Sequence, residues 1–191
     1  TPPWVGPWRL GVYRPAPTPG AVFCDGGPIA DTRNPPPHMD PEAAQFARDI
    51  EALGISTGET VVAYDSGGWV AAPRAWWMFL SFGHRDVRVL DGGLKKWLRE
   101  GRPTHSGKVT PSSGKFQARL DPRYVRSKEQ LLGNLETRAE QLDDARPKPR
   151  FEGTVAEPCP GRRSGQIPCS RNLPYAGLFA GATGAMNPRQ D

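Results

Sequence analysis

Two stretches in the middle of the chain switch from strand-like to helix-like apolar spacing across a glycine turn, and few architectures accept that switch twice in succession. The first is TVVAYD, residues 60–65, which ends at Ser66, Gly67 and Gly68 and leads into AAPRAWWMFLSFG, residues 71–83. The run is short, apolar and bounded by turn residues, as a buried strand is, and Pro73 sits where the first turn of a helix tolerates it. The second is VRVLDGG, residues 87–93, followed by LKKWLREG, residues 94–101, where Gly101 stops the helix. Strands separated by helices pair in parallel, with the helices crossing over the faces of the sheet. The spacing therefore predicts an α/β fold in which TVVAYD and VRVL form a parallel sheet. A helix from Ala71 to Phe82 packs on it, with Trp76, Trp77, Phe79 and Leu80 largely buried.

Upstream, Ala43, Phe46, Ala47, Ile50 and Leu53 recur at helical spacing between Pro41 and Gly54, which predicts an amphipathic helix over 41–53. Residues 1–20 carry six prolines and three glycines and are read as irregular. Residues 102–122 are rich in Gly, Pro, Ser and Thr with scattered apolar positions, and are read as a linker. The domains are thus placed at 1–101 and 123–191. In the second, Ser127 and Gln130 form a capping-box pattern ahead of Leu131, Leu132 and Leu135, and QLDDAR, residues 141–146, is the strand expected next.

Charge and cysteine content narrow the function classes. A formal net charge of +5 suits anionic partners, but no basic run of five or more residues and no nucleic-acid motif accompanies it, which argues against nucleic-acid binding. Cys24, Cys159 and Cys169 are an odd number at no disulfide-framework spacing, a pattern that fits a reducing compartment, read as cytoplasmic with mitochondrial as the alternative. No CxxC pair occurs and His38, His84 and His105 are isolated, so neither a metal site nor a cofactor is expected. No apolar stretch of about 18 residues is present, and no membrane association is expected.

The string YDSGGWVAAPRAWWMFLSFGHRDVRVLDGGLKKWLREG, residues 64–101, is very similar to the first domain of the two-domain rhodanese and 3-mercaptopyruvate sulfurtransferase family. DARPKPRFEGTVAEPCPGRRSGQIPCSRNLPY, residues 144–175, is similar to the opening of that family's second domain. The resemblance implies two rhodanese-like domains, each a parallel sheet flanked by helices on both faces, with a persulfide-forming cysteine in the second only. It implies a sulfurtransferase that moves sulfane sulfur from thiosulfate or 3-mercaptopyruvate to a thiol, such as that of thioredoxin, or to cyanide. The alternative is a noncatalytic rhodanese-like protein that binds a partner or a small anion.

A persulfide needs a thiolate held by backbone amides at a helix N-terminus. Asp65, with Ser66, Gly67 and Gly68, occupies that strand–loop–helix position in the first domain, and an aspartate cannot carry sulfane sulfur. An internal repeat matches Thr18-Pro19-Gly20-Ala21 to Ile167-Pro168-Cys169-Ser170. Asp65 follows Gly20 by about 45 residues, so the loop equivalent to it in the second domain is expected beyond Asp191. The second domain is therefore read as incomplete and this chain as inactive by itself. The same repeat suggests that the first domain lacks an opening strand and helix, whose loss would expose a sheet edge; the assembly is read as a monomer or an edge-paired oligomer.

Cys24 opens CDGGPIA, residues 24–30, but Asp25 repels an anion and Pro28 lacks an N–H, so Cys24 is expected to be a packed structural thiol. The resemblance assigns the donor's anionic end to Arg150, with Arg146 close by. In the mercaptopyruvate enzymes a second arginine falls where this chain has Cys159. His38 matches a family histidine implicated in proton transfer, an accessory catalytic role, but the acidic partner of that histidine falls on Gly27. Asp143 and Arg171 stand where the resemblance expects hydrophobes, and an unpaired buried charge is expected to be costly there.

Overall fold

The computed structural model describes residues 18–24, 29–31, 39–66, 69, 71–105, 109–158, 161–181 and 183–188. These fall into two compact units, residues 18–125 with 183–185, and residues 126–181 with 186–188. His38, Gly27 and Cys159 lie outside the described residues.

In the first unit the order is α1 (Ala43–Ala52), β1 (Val61–Ala63), α2 (Ala71–Ser81), β2 (Val87–Val89) and α3 (Gly93–Arg99), then a 3-10 turn at Pro122–Tyr124. β1 and β2 pair in parallel with Val61 opposite Val87, which is the pairing that two strand–helix units in sequence require. Phe46 and Ile50 of α1 meet Met78 and Phe79 of α2, with Phe82, Val87, Ile29 and Phe116, in one buried cluster. Phe46 lies at its centre, stacked on Phe82 at 4.4 Å and edge-on to Phe79 and Phe116 at 5.5 and 5.8 Å. Aromatic pairs in these geometries contribute beyond their buried area.

The buried stripe of α2 runs through Ala72, Ala75, Met78 and Phe79, and this corrects one expectation. Trp76 lies one step round the helix from Ala75 and is 39% exposed, while Trp77 and Leu80 are half-buried at the margin of the core. An apolar run without polar breaks leaves the helix face undetermined until the sheet selects it. Trp77 is held by Arg74, whose guanidinium sits 4.9 Å over its ring, and its Nε1 donates to the Tyr124 carbonyl at 3.1 Å. Cys24 packs half-buried against the same core, in agreement with a structural thiol.

The stretch read as a linker is partly a strap. Gly114 N donates to the Glu51 carbonyl at 2.8 Å and Phe116 N to Glu51 Oε1 at 2.9 Å, while Thr57 N donates to the Lys115 carbonyl at 2.9 Å. Farther along, Arg119 N and Asp121 N donate to the carbonyls of Phe82 and Ser81. The strap thus joins the C-terminal ends of α1 and α2, and residues up to 125 belong to the first unit. Gly114 lies so close to the Ile55 carbonyl that a Cβ would not fit. Phe116 drives the docking, being 4% exposed between Phe46, Phe79 and His84.

The second unit contains α4 (Lys128–Thr137), β3 (Asp143–Asp144), α5 (Lys148–Phe151), β4 (Arg171–Asn172) and a 3-10 turn at Tyr175–Leu178. The capping box forms as the sequence predicts: Gln130 N donates to Ser127 Oγ at 3.2 Å and Ser127 N to Gln130 Oε1 at 2.7 Å. β3 and β4 pair in parallel, Asp143 opposite Arg171 and Asp144 opposite Asn172. Asp143 and Arg171 are both exposed, so neither is the buried unpaired charge expected from the hydrophobes they replace. They are register partners of opposite sign, the favourable arrangement for a cross-strand pair.

The internal repeat is a repeat of structure. Ala21 N donates to the Thr18 carbonyl at 3.1 Å and Ser170 N to the Ile167 carbonyl at 3.2 Å, closing the same four-residue turn. Its third residue is left-handed in both copies, Gly20 at φ +77° and Cys169 at φ +64°. Glycine adopts this backbone freely; a cysteine adopts it under strain.

Two substitutions test these features. Phe116→Ala is expected to destabilise the first unit by about 3–5 kcal/mol in urea titrations, as for any buried aromatic, whereas an unchanged midpoint would make residues 109–121 a linker. Cys169→Gly is expected to stabilise the second unit by about 0.5–1 kcal/mol, the strain relieved less the extra entropy of an unfolded glycine.

Candidate functional site

Among the described residues two turns gather hydrogen-bond donors of the kind an anion accepts, one in each unit. The first is the turn where β1 ends. The Asp65 carbonyl accepts from Leu94 N at the start of α3, at 3.0 Å, and Asp65 Oδ2 accepts from Ala71 N and Ala72 N at the start of α2, both at 3.2 Å. Gly93, left-handed at φ +54°, makes the first contact attainable, because a Cβ there would sit 2.9 Å from the Asp65 oxygen. The amides that open α2 are therefore pointed at a carboxylate the chain supplies itself. Among the described residues, the two amides at the head of α2 donate to Asp65.

The second place is the turn after β3. Asp144 accepts from three donors of Arg146, the backbone N at 2.9 Å, Nε at 3.0 Å to each carboxylate oxygen, and Nη2 at 2.6 Å. This local loop of hydrogen bonds ends the strand after two residues, Asp143 and Asp144, where a strand over 141–146 is expected from the sequence. Asn172 on β4 locks the turn, its Nδ2 donating to the carbonyls of Asp144 and Arg146 at 3.0 and 2.8 Å. Arg146 also donates from Nη2 to the Gly165 carbonyl at 2.7 Å and from Nη1 to Glu157 Oε1 at 2.9 Å.

Arg150, at the end of the short α5, is anchored on one edge. Its Nε donates to Glu157 Oε1 at 3.2 Å and its Nη2 to Glu157 Oε2 at 2.6 Å. Only 6% of the Glu157 side chain is exposed, against 28% for Arg146 and 32% for Arg150. The two charge-assisted forks place Asp144, Arg146, Glu157 and Arg150 in one chain of contacts, with two carboxylates balancing two guanidiniums. Hydrogen bonds from Arg150 hold the Glu157 carboxyl below its ordinary range, and those from Arg146 do the same for Asp144.

The structure thus brings the two sequence-predicted arginines together but gives them different surroundings. Arg146 has its Nε, both its Nη groups and its backbone N in hydrogen bonds. Among the described residues no hydrogen bond engages Arg150 Nη1, and its Nη1–Nη2 edge retains two parallel donors of the kind a carboxylate or a thiosulfate oxygen pair accepts. The sequence reading missed Glu157, Asp144 and Asn172. Asp144 carried a signal, since an acid two residues before an arginine can close this turn; Glu157, beyond the Gly153 turn, carried none.

Residues 16–100 match the family model described as the rhodanese-like domain. The human 3-mercaptopyruvate sulfurtransferase is 43% identical over 164 residues, covering 85% of this chain and 55% of that protein. The thiosulfate sulfurtransferase of Cricetulus griseus is 43% identical over 166 residues, covering 85% of this chain and 56% of its own length. The crystal structure of the 3-mercaptopyruvate sulfotransferase SseA from Escherichia coli superposes with a TM-score of 0.80 at 34% identity, covering 91% of this chain and 64% of that one. The chain spans about half the length of the curated relatives it matches. Among the described residues no helix is long and apolar enough to cross a membrane.

The arginine cluster predicts how the second unit responds to acid. Asp144 and Glu157 have folded pKa values below those of free carboxylates, so the stability they contribute is complete above the unfolded carboxylate pKa of about 4 and is lost as pH falls below it toward the folded values. Amide signals of residues 141–172, followed from neutral pH downward, are expected to hold until that range and then collapse, and Asp144→Asn with Glu157→Gln should flatten the dependence. A collapse beginning well above the carboxylate range would rule the cluster out as its cause.

Proposed function

Since the chain belongs to the rhodanese-like family of sulfurtransferases, we propose that it acts in sulfane-sulfur transfer from a small anionic donor, thiosulfate or 3-mercaptopyruvate, to a thiol acceptor, with Arg150 receiving the donor's anionic end. The observation that carries this reading is the state of Arg150, a guanidinium held on one edge by a nearly buried carboxylate, with no hydrogen bond to its Nη1 among the described residues. A surface arginine paired with a carboxylate ordinarily leaves its other edge to solvent; the enclosed carboxylate sets Arg150 apart, because it holds the guanidinium in one orientation from which a planar or tetrahedral oxyanion can be received. Arg146 supports the turn and does not contact the donor in this reading.

The turn at Asp65 assigns no sulfur chemistry to the first unit. Helix N-terminal amides lower a thiol's pKa and stabilise a persulfide anion when the anion is theirs to bind. Here they receive a carboxylate that cannot accept sulfur, so the first unit is structural. The thiolate that carries sulfane sulfur is assigned to the second rhodanese-like domain. On this reading Cys24, packed against the core, and Cys169, exposed on a turn, take no part in the transfer.

The test has a binding arm and a transfer arm. Titration of the protein with pyruvate, as a carboxylate without the reactive sulfur, and with thiosulfate should shift the Arg150 side-chain NMR signal in a saturable way. Arg150→Met should abolish the response and Arg163→Met, at an exposed position, should not. Absence of any saturable response removes the donor site from Arg150. The 191-residue protein should also release no thiocyanate from thiosulfate and cyanide above a heat-treated control, and a robust signal lost in Cys24→Ser would move the chemistry to that cysteine.

A further inference from the structure

In the donor reading above Glu157 is only the partner that fixes one edge of Arg150, yet it is the most enclosed charged group of the second unit's arginine cluster. Its Oε1 accepts from Arg146 Nη1 at 2.9 Å and Arg150 Nε at 3.2 Å, and its Oε2 from Arg150 Nη2 at 2.6 Å. Arg146 is in turn fixed by Asp144 at the end of β3 and by the Gly165 carbonyl. A continuous chain therefore runs from the strand through Asp144, Arg146 and Glu157 to Arg150. Each link is a charge-assisted hydrogen bond, and the long side chain of Arg150, otherwise tethered only by the four-residue α5, is rooted in the sheet.

We infer that Glu157 is a positioning residue for anion recognition: it holds the Nε–Nη2 edge of Arg150 so that the Nη1–Nη2 edge is presented, already immobilised, to the carboxylate of the donor. The inference rests on the reading of Arg150 as the donor's anchor. Its physical content is preorganisation. An arginine held in one rotamer before binding avoids an ordering cost of about 0.5–1.5 kcal/mol, which is roughly a two- to tenfold gain in affinity. Electrostatics alone has the opposite sign, because Glu157 is a negative charge next to an anion site and its removal would strengthen binding. The two effects are thus separable by direction.

The experiment compares wild type, Glu157→Gln and Arg150→Met for pyruvate affinity by NMR titration, with relaxation of the arginine Nε–Hε signals measured on the same samples. The expected result is that Arg150 Nε–Hε is rigid in wild type while that of exposed Arg163 is mobile. In Glu157→Gln it should become mobile, and pyruvate should bind roughly two- to tenfold more weakly although a negative charge has been removed. Equal or tighter binding in Glu157→Gln overturns the inference and makes Glu157 a counter-charge only. So does an Arg150 signal as mobile as that of Arg163 in wild type, a measurement that needs no variant to fold. Unchanged amide signals of Gln130 and Asn172 show that Glu157→Gln keeps its unit folded. If wild type binds no pyruvate, or binds it equally after Arg150→Met, the donor reading fails and this inference with it, whereas a failure confined to Glu157→Gln leaves that reading intact.

Discussion

Asp65 joins three elements through one residue. It lies two residues beyond β1, its carbonyl accepts from Leu94 N in the first turn of α3, and its carboxylate accepts from two amides at the head of α2. The parallel sheet and the helices that cover it consequently depend on the same short turn, and Gly93 is required so that α3 can approach it. This turn is also the place where a strand–loop–helix fold concentrates positive potential from helix amides. Asp65 thereby caps the head of α2 with its own carboxylate.

The second unit uses charge in the reverse sense. None of its described residues is fully buried, and Leu132 and Leu173 are 53% and 51% exposed, so apolar burial contributes little to its order. Hydrogen-bonded ion pairs take over that task. Asp144 and Arg146 close the turn after β3, Asn172 ties the turn to β4, and Glu157 links Arg146 to Arg150. Exposed pairs are individually weak, but a network that includes a nearly enclosed carboxylate is stronger than its separate members. Asp143 and Arg171, which look like errors when considered singly as replacements for hydrophobes, are partners across the parallel register.

Structure and function meet in the difference between the two arginines. Arg146 bonds at every guanidinium nitrogen, to Asp144, Glu157 and the Gly165 carbonyl, whereas Arg150 is fixed on one edge and, among the described residues, has no hydrogen bond at Nη1. The anion site proposed at Arg150 does not need net positive charge, since the arginines are balanced by acids; it needs directional donors held still. That is why an acid beside an anion site can assist recognition, and why the sign of its effect is informative.

Local pattern determined what depends on neighbours in sequence. The helix over 43–52 and the strands at 61–63 and 87–89 follow from apolar spacing and glycine stops, as does the capping box at Ser127 and Gln130, and the parallel pairing follows from their order. The resemblance carried by residues 64–101 and 144–175 named the family and pointed to Arg146 and Arg150. Tertiary structure alone decided which face of α2 is buried, so that Trp76 is outside and Ala75 inside. It also made a strap of residues read as a linker, because one aromatic, Phe116, found a cavity between α1 and α2 that no local pattern announces. The partner of Arg150 belongs to the same class: Glu157 lies seven residues on, past a left-handed glycine, and only the fold of that turn brings the two charges within 2.6 Å. The physical reason is common to all three cases. Hydrophobic periodicity and turn chemistry act over a few residues and are written in sequence, whereas pairing of side chains across turns depends on backbone directions set by the completed packing.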